Sequence, residues 1–164
     1  MNGSLISNLT PIILTYNEAP NIARTLAKLR WAKRGVVLDS HSYDDTALIA
    51  SKFTNVSFYQ RAFDTHADQW NYALTETEID TEWVLALDAD YFLTDGLIDE
   101  LSEMGLESRF DGYQSKFKYC VFGLPLSGSL YPPVVTLFKK ASGYYINDGH
   151  TQRLMIEGEI GGLS

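Results

Sequence analysis

The sequence predicts a three-layer α/β/α fold built on a mostly parallel sheet, with antiparallel additions in the second half. Two observations lead to this prediction. Through about residue 105, short apolar segments of strand length alternate with segments of helical spacing, and the links between them are short. This alternation is typical of a parallel sheet covered by helices on both faces. After residue 105 the alternation stops, and strands joined by loops are expected instead.

Apolar segments bounded by polar residues predict the strands of the first half. The four predicted strands cover residues 11–16, 35–39, 56–59 and 83–88. Helical spacing of apolar residues predicts the intervening helices at residues 22–29, 46–53, 67–77 and 97–104. Asn21 is the expected N-cap of the first helix, because its side chain can accept a hydrogen bond from a free backbone amide.

The second half is expected to add strands rather than further strand–helix units. Strands are predicted at residues 115–122 and 134–139, separated by the Gly-, Pro- and Ser-rich segment 123–133. The only cysteine, Cys120, lies beside Val121 and Phe122 and is expected in the core rather than as a nucleophile. A single cysteine cannot form an internal disulfide, which suits a reducing compartment.

Composition limits the classes of function. The chain has 164 residues, enough for one domain, and its net charge of −8 argues against a nucleic-acid surface. A cluster of basic residues without an acid nevertheless occurs near the first helix, formed by Arg24, Lys28, Arg30, Lys33 and Arg34. This cluster is either a solvated face, which we favour, or a peripheral contact with anionic lipid headgroups. No apolar segment is long enough to span a bilayer.

Polar clusters follow three of the predicted strands at their carboxyl ends. They are the segments 15–18, 39–40 and 88–90. Ligands of open α/β sheets bind outside the carboxyl ends of the strands. We therefore expect these distant segments to meet at one edge and to form a binding site.

The third cluster contains two carboxylates one residue apart. In an extended chain Asp88 and Asp90 would point to the same side, where their charges would repel. From residue 62 to residue 108 there are thirteen acids and no Lys or Arg. A hard divalent cation, Mn²⁺ or Mg²⁺, would relieve this repulsion and could bridge the acids to an anionic substrate. The alternative is a strand end with two solvated acids.

Four motifs in order resemble family-2 glycosyltransferases. They are Thr-Tyr-Asn-Glu at 15–18, Val-Leu-Asp-Ser-His-Ser-Tyr-Asp-Asp-Thr at 37–46, Gln-Trp-Asn-Tyr-Ala-Leu at 69–74 and Leu-Asp-Ala-Asp at 87–90. Within the family the sequence is most similar to the lipopolysaccharide core glucosyltransferase branch, from Pro11 to Leu163. The resemblance implies a nucleotide-diphospho-sugar transferase fold of the glycosyltransferase A type. It divides the single domain 1–164 into a nucleotide-binding half (about 9–105) and an acceptor half (about 106–164).

The resemblance also implies roles for individual residues. The expected nucleotide-sugar-binding residues are Thr15, Tyr16, Asn17, Glu18, Asp39, Gln69, Asn71 and Asp88. Among them, Asp39 would accept a hydrogen bond from a uracil-type base, and Glu18 would lie near the ribose. Asp90 would bind the metal ion, while Asp88 would contact the ribose or the metal through water.

The second half departs from the family pattern. Relatives in this branch often carry a His-Glu pair, but here His150 is followed by Thr151. Asp148, expected in a loop, is the substitute candidate for the general base. His150 is a candidate catalytic residue and third metal ligand, or else a loop histidine in a structural hydrogen bond. Relatives usually continue beyond the position of Ser164, so C-terminal elements are expected to be missing.

These observations lead to a main hypothesis and two alternatives. The main hypothesis is a metal-dependent, inverting hexosyltransferase that moves a sugar from a UDP-sugar to a glycan or lipid-linked hydroxyl. It would act in polysaccharide or lipopolysaccharide synthesis, in the cytoplasm or at the inner face of the membrane. One alternative is a module that binds nucleotide-sugar without turnover. The other is a haloacid-dehalogenase-like phosphatase, which is disfavoured because Tyr91 and Phe92 follow the acids.

Overall fold

The computed structural model describes residues 3–128 and 132–164. Part of the predicted loop 123–133, residues 129–131, therefore lies outside the described residues. The first half alternates strands and helices as predicted. Its elements are β1 (Leu9–Thr15), α1 (Ile22–Ala27), β2 (Gly35–Asp39), α2 (Thr46–Ala50), β3 (Val56–Gln60), α3 (His66–Glu76), β4 (Trp83–Asp88) and α4 (Asp95–Glu103).

The second half consists of strands and short turns. Its strands are β5 (Gly112–Ser115), β6 (Cys120–Val121), β7 (Leu124–Pro125), β8 (Val134–Lys139), β9 (Gly143–Asp148), β10 (Thr151–Ile156) and β11 (Ile160–Gly162). Two antiparallel hairpins, β6–β7 and β9–β10, pair only within themselves in the described chain.

The main sheet has seven strands in the order β11-β5-β8-β4-β1-β2-β3. Strands β4, β1, β2 and β3 run parallel, and β8 is antiparallel to both of its neighbours. The predicted mostly parallel sheet with antiparallel additions is confirmed. Because β5 and β11 run in the same direction as β4, their carboxyl ends reach the same edge of the sheet.

Two apolar clusters cover the two faces of the sheet. Neighbouring residues of β1 point to opposite faces, so Ile13 packs with α1, α2 and α4 while Ile12 packs with α3. On the α3 side, Trp70 stacks on Tyr145 of β9 at a ring distance of 5.3 Å. The three-layer arrangement follows, with the β9–β10 hairpin completing the layer that α3 begins.

The structure corrects the prediction of one long strand at 115–122. Strand β5 ends at Ser115, which pairs with Val134, the first residue of β8. Beyond Ser115 no further residue of the described chain pairs with this segment in the main sheet. Cys120 is consequently exposed rather than part of the core.

Asn21 is the N-cap residue of α1, as predicted, but it does not cap the helix through its side chain. Its side chain makes no cap hydrogen bond at the start of α1 and instead donates to Glu18 Oε2 at 3.0 Å. The backbone amides of Asn21 and Ile22 bond to the carbonyl of Glu18, at 2.9 Å each. The preceding turn therefore satisfies the first amides without help from the side chain.

The basic cluster near α1 is divided among separate partners. Lys28 forms an ion pair with Asp95 at 2.6 Å, and Arg30 lies over the ring of Phe53. Arg34 donates hydrogen bonds to Ser57, Tyr59 and two backbone carbonyls. Among the described residues, no helix combines the length and apolar character that crossing a membrane requires.

Candidate active site

The carboxyl ends of β1, β2 and β4 lie side by side, which brings the three polar clusters together as predicted. Thr15 pairs with Asp39 across β1 and β2, and Leu14 pairs with Asp88 across β1 and β4. The loops that follow these strands therefore border one cleft at the edge of the sheet.

The loops after β1 and β2 are locked to each other. Asn17 adopts a left-handed backbone conformation with φ of 54°, which asparagine tolerates better than most residues. The backbone amide of Asn17 donates to Ser42 Oγ at 2.8 Å, and its side-chain oxygen accepts from the backbone amide of Tyr43 at 3.0 Å. The amide of Glu18 donates to Thr46 Oγ1 at 2.8 Å. These bonds fix one wall of the cleft.

Asp39 lies beneath this wall with no exposed surface. Its carboxylate accepts four hydrogen bonds, from the hydroxyls of Thr15 and Ser42, the amide of Ser42 and the side-chain amide of Gln60. A carboxylate has about four lone-pair positions, so these partners occupy its hydrogen-bonding capacity. Asp39 thus joins the end of β1 to the loop after β2 and to Gln60 of β3.

Gln69 and Asn71, both expected beside the substrate, also bond within the protein. Gln69 is buried on α3, where its side chain bonds to Ser40 and Arg61. The Asn71 side chain donates to the carbonyl of Tyr145 at 2.8 Å and accepts from its amide at 2.9 Å. Gln69 thus joins α3 to the loop after β2, and Asn71 joins α3 to β9.

Two exposed rings stand on the locked loops. Tyr16 is 57% exposed and Tyr43 is 84% exposed, and their rings meet edge to face at a centroid distance of 6.3 Å. Tyr16 was expected at the nucleotide, whereas Tyr43 was not among the expected site residues. Its place in the loop after β2, at the binding edge, is the sequence signal that would have included it.

The two acids after β4 lie on a turn rather than on an extended chain. Strand β4 ends at Asp88, and the amide of Tyr91 donates to the Asp88 carbonyl at 3.0 Å. Ala89 is buried between the two exposed acids. The buried hydroxyl of Thr25 on α1 lies 2.6 Å from the Ala89 carbonyl and 2.9 Å from that of Tyr91. Helix α1 thus holds the turn that carries the acids.

Asp88 lies in an environment that disfavours its negative charge. Desolvation by the surrounding protein is the main cause that raises the pKa of Asp88, and the charges of Asp90 and Glu18 raise it further. A hydrogen bond from Tyr91 and the charge of His66 act in the opposite direction. The turn therefore concentrates negative charge that the protein compensates only in part.

Three residues near the acids were missed by sequence reasoning. His66 begins α3 and packs against Phe63, with a ring distance of 5.0 Å. Burial is the main cause that raises the pKa of Tyr91 and of Tyr145, and the charge of Asp88 contributes to both. Both phenols therefore stay protonated and can donate hydrogen bonds. His66 follows the loop after β3, so its position at the binding edge could have been inferred from the topology.

The acids fit a divalent cation that takes its remaining ligands from elsewhere. No three His, Cys, Asp or Glu side chains converge on a metal position within residues 3–128 and 132–164. The predicted set of Asp88, Asp90 and His150 is therefore not assembled. Two carboxylates suffice for Mg²⁺ or Mn²⁺ when substrate phosphates and water complete the coordination.

Asp148 and His150 lie at the end of the β9–β10 hairpin. Asp148 is the last residue of β9 and pairs with Thr151, so it lies in a strand rather than in the expected loop. Gly149 and His150 form the tight turn between them, where Gly149 has a φ of 65°. The Asp148 carboxylate accepts a hydrogen bond from Arg153 at 2.5 Å. Arg153 occupies one acceptor position of this carboxylate, which has about four.

We expect Asp39→Asn to destabilise the protein, because a carboxamide nitrogen would face hydrogen-bond donors. The free energy of unfolding should fall by about 2 kcal/mol, as measured by urea denaturation. Asp45→Asn is the matched control, since Asp45 is exposed in the same loop and makes no side-chain cap bond. Equal stability of the two variants would show that the four bonds to Asp39 do not support the fold.

We expect Asp88→Asn to stabilise the protein. A raised pKa means that the folded state retains the proton to higher pH than the unfolded state, so the ionised form costs stability at neutral pH. Removal of the charge should raise Tm at neutral pH by no more than about 2 °C, because Asp88 is partly exposed to water that screens its charge. The gain should shrink as the pH falls through the raised pKa of Asp88, and it should vanish below the ordinary pKa of aspartate, where the carboxyl is neutral in both the folded and the unfolded state.

Thermal unfolding at several pH values measures this gain, and Asp99→Asn on the exposed surface of α4 is the control. A lower Tm for Asp88→Asn at neutral pH would contradict the proposed electrostatic conflict.

Comparison with known proteins agrees with this geometry. Residues 10–125 match the family described as "Glycosyl transferase family 2". An uncharacterized glycosyltransferase of Rickettsia conorii is 31% identical over 114 residues, covering 69% of this chain and 39% of the relative. The chain thus spans less than half the length of that curated relative.

Solved structures share the fold. The segment 1–349 of S. aureus TarS superposes with a TM-score of 0.58 at 23% identity, covering 81% of this chain and 47% of that segment. The same segment in complex with UDP-GlcNAc superposes with a TM-score of 0.55 at 25% identity, covering 73% of this chain and 37% of that segment. Glucosyl-3-phosphoglycerate synthase of Mycobacterium tuberculosis superposes with a TM-score of 0.52 at 16% identity, covering 65% of this chain and 42% of the synthase chain. That structure is a complex with Mn²⁺, UDP and phosphoglyceric acid. The extent of the family match establishes that this chain belongs to glycosyl transferase family 2.

Proposed function

We propose that this chain binds a UDP-sugar through a divalent cation and transfers the sugar to a hydroxyl group of a glycan or a lipid-linked acceptor. The observation that carries the proposal is the turn at the end of β4. It presents Asp88 and Asp90 at the edge where the loops after β1 and β2 also end. Membership of the family supports glycosyl transfer as the reaction, and the complex of TarS with UDP-GlcNAc supports a UDP-sugar as donor.

Asp90 would bind the cation directly, and Asp88 would bind it directly or through a water molecule. The pKa of Asp88 is raised in part by the charge of Asp90, and a cation between them would remove that conflict. When bound, Mn²⁺ or Mg²⁺ would stabilise the negative charge of the departing diphosphate. The region 62–108 contains no Lys or Arg that could do this instead.

The remaining site residues fall into two groups in this proposal. Tyr16, Asn17 and Glu18 would border the nucleotide, together with the exposed ring of Tyr43. Other expected binding residues would act by holding the cleft in shape, because their polar groups already bond within the protein; these are Thr15, Asp39, Gln69 and Asn71.

Acceptor chemistry would take place on the side of the cleft formed by residues 106–164. An open hollow lies beside the carboxyl ends of β5 and β11, lined in part by Gln114, Lys116 and Leu163. We propose inversion at the anomeric carbon, with Asp148 as the general base through an acceptor position that Arg153 leaves free, and with His150 two residues away in the chain. In this proposal the transfer would serve the synthesis of a polysaccharide or lipopolysaccharide at the inner face of the membrane.

A nucleotide-sugar-binding module without turnover is the second candidate function. Two observations favour it, namely Thr151 at the place where relatives often carry Glu and the ion pair that engages Asp148. Such a module would still require the acids after β4 for binding. Turnover therefore distinguishes the two functions, and metal-dependent binding does not.

The proposal is tested by measuring the release of UDP from UDP-glucose and from UDP-N-acetylglucosamine in the presence of Mn²⁺, whether the sugar passes to water or to an offered acceptor. We expect UDP release that requires Mn²⁺, and Asp90→Ala should reduce its rate by at least about 100-fold, since a bound cation contributes several kcal/mol to such a step. The matched control is Asp99→Ala, which removes an exposed acid on α4 and should retain the wild-type rate.

Two results would contradict the proposal. UDP release in excess EDTA at the rate seen with Mn²⁺ would exclude the role of the cation. Metal-dependent UDP binding without release of UDP to any offered glycan, lipid or water would assign the chain to the silent module instead.

A further inference from the structure

The hairpin β6–β7 exposes apolar side chains that nothing in the described chain covers. Its two strands pair only with each other, through Cys120 with Pro125 and Val121 with Leu124. The exposed fractions of its large apolar residues are 49% for Val121, 101% for Phe122 and 72% for Leu124. Leu126, which follows the hairpin, is 42% exposed. We call residues 120–126 the apolar hairpin.

The tip of the apolar hairpin is unfavourable for an isolated protein in water. Phe122 and Gly123 form the turn, with φ of 49° and 79°. Two-residue hairpin turns with positive φ at both positions favour Asn, Asp or Gly at the first, and a bulky ring there is an outlier. Phe122 thus combines an unfavourable backbone conformation with complete exposure of an apolar ring. Neither cost is offset by a contact within the described residues, so an external partner is indicated.

The charge around the apolar hairpin identifies the kind of partner. Between residues 112 and 138 the sequence contains two basic residues, Lys116 and Lys118, and no acid, although the whole chain has a net charge of −8. Both lysines are exposed and neither pairs with a described carboxylate. An apolar tip flanked only by cations is complementary to an apolar layer bordered by anions.

The root of the apolar hairpin contacts the candidate site. Phe117, which follows β5, packs against Tyr91 with a ring distance of 4.9 Å. Tyr91 directly follows Asp90 on the turn that carries the acids. Because β5 ends at the same edge of the sheet as β4, the hairpin leaves the sheet beside the cleft.

We propose that the apolar hairpin inserts into the surface of an anionic lipid bilayer. Phe122 and Leu124 enter the boundary between headgroups and acyl chains, while Lys116 and Lys118 contact lipid phosphates. A hairpin with a two-residue tip presents far less than the roughly 800 Å² per partner of a stable protein interface, which favours a bilayer over a second protein.

This attachment would turn the cleft beside β4 toward the membrane. Together with the proposed function, it would bring the cleft to an acceptor that is itself anchored in lipid. The attachment can be tested without any sugar substrate, so its failure and the failure of the proposed transfer are distinguishable.

Co-sedimentation with vesicles tests the attachment. We expect the protein to bind vesicles of phosphatidylglycerol and phosphatidylethanolamine, and Phe122→Asn to weaken the partition coefficient more than about tenfold, since the ring no longer enters the bilayer. Asn suits the positive φ of position 122, so the hairpin should fold at least as well as before. The matched control is Leu48→Gln, which removes another exposed apolar side chain (59% exposed) on α2.

The contribution of the two lysines and the depth of residue 122 in the bilayer give two further tests of the same attachment. Lys116→Gln and Lys118→Gln should each weaken the partition coefficient about fivefold, which corresponds to about 1 kcal/mol per lysine at an anionic surface. In the variant Phe122→Trp, brominated acyl chains should quench the introduced indole. Of the three native tryptophans, Trp70 and Trp83 are buried and Trp31 is partly buried, so the wild-type protein gives the background quenching to subtract.

Several outcomes would overturn the proposal. These are no binding of the wild-type protein to anionic vesicles, undiminished binding of Phe122→Asn, and an equal loss in Leu48→Gln. Binding to phosphatidylcholine vesicles with the same affinity would remove the role of the lysines. A concentration-dependent dimer that Phe122→Asn dissociates, without vesicle binding by the wild type, would assign the apolar hairpin to a contact between copies of this chain.

Discussion

The candidate site depends on a conflict between neighbouring carboxylates on a fixed turn. Asp88 and Asp90 flank buried Ala89, and Thr25 of α1 lies within hydrogen-bonding distance of the carbonyls on that turn. Desolvation, Asp90 and Glu18 all raise the pKa of Asp88. The fold therefore keeps unfavourable charge in place at some cost in stability. Such a conflict is characteristic of functional sites, where a bound cation or substrate relieves it.

Several side chains expected at the nucleotide bond within the protein and tie together the elements around this turn. Asp39 bonds to Thr15 at the end of β1 and to Ser42 in the loop after β2, and Gln69 bonds to Ser40 in the same loop. The polar side chains of the family motifs thus first build the walls of the cleft. Exposed groups such as Tyr16 and Tyr43 are left to contact whatever enters it.

Strand positions were predictable where burial alone decides them. The strands at 35–39 and 83–88 agree with the structure because each is an almost wholly buried apolar segment, and the strand at 134–139 agrees because its middle residues 136–138 are buried. The end of β5 at Ser115 was not predictable, since it depends on where β8 stops offering a partner. The exposure of Cys120 follows from the same missing partner.

The site was predictable in its location but not in its contacts. The topology places the ends of β1, β2 and β4 together, and the order of apolar segments was sufficient to infer this. Which side chains remain free depends on partners distant in sequence. The bonds of Asn71 to Tyr145 cross 74 positions of the chain, and no local pattern reveals them. His66 was missed because a single histidine carries no motif.

The most direct test of the central claim is the affinity for UDP with and without a divalent cation. Isothermal titration of UDP into the protein measures it in Mn²⁺ and in excess EDTA. A cation held by Asp88 and Asp90 predicts that the Kd rises at least about tenfold in EDTA, equivalent to about 1.4 kcal/mol. The same Kd under both conditions would show that the acids after β4 do not bind the diphosphate through a metal ion.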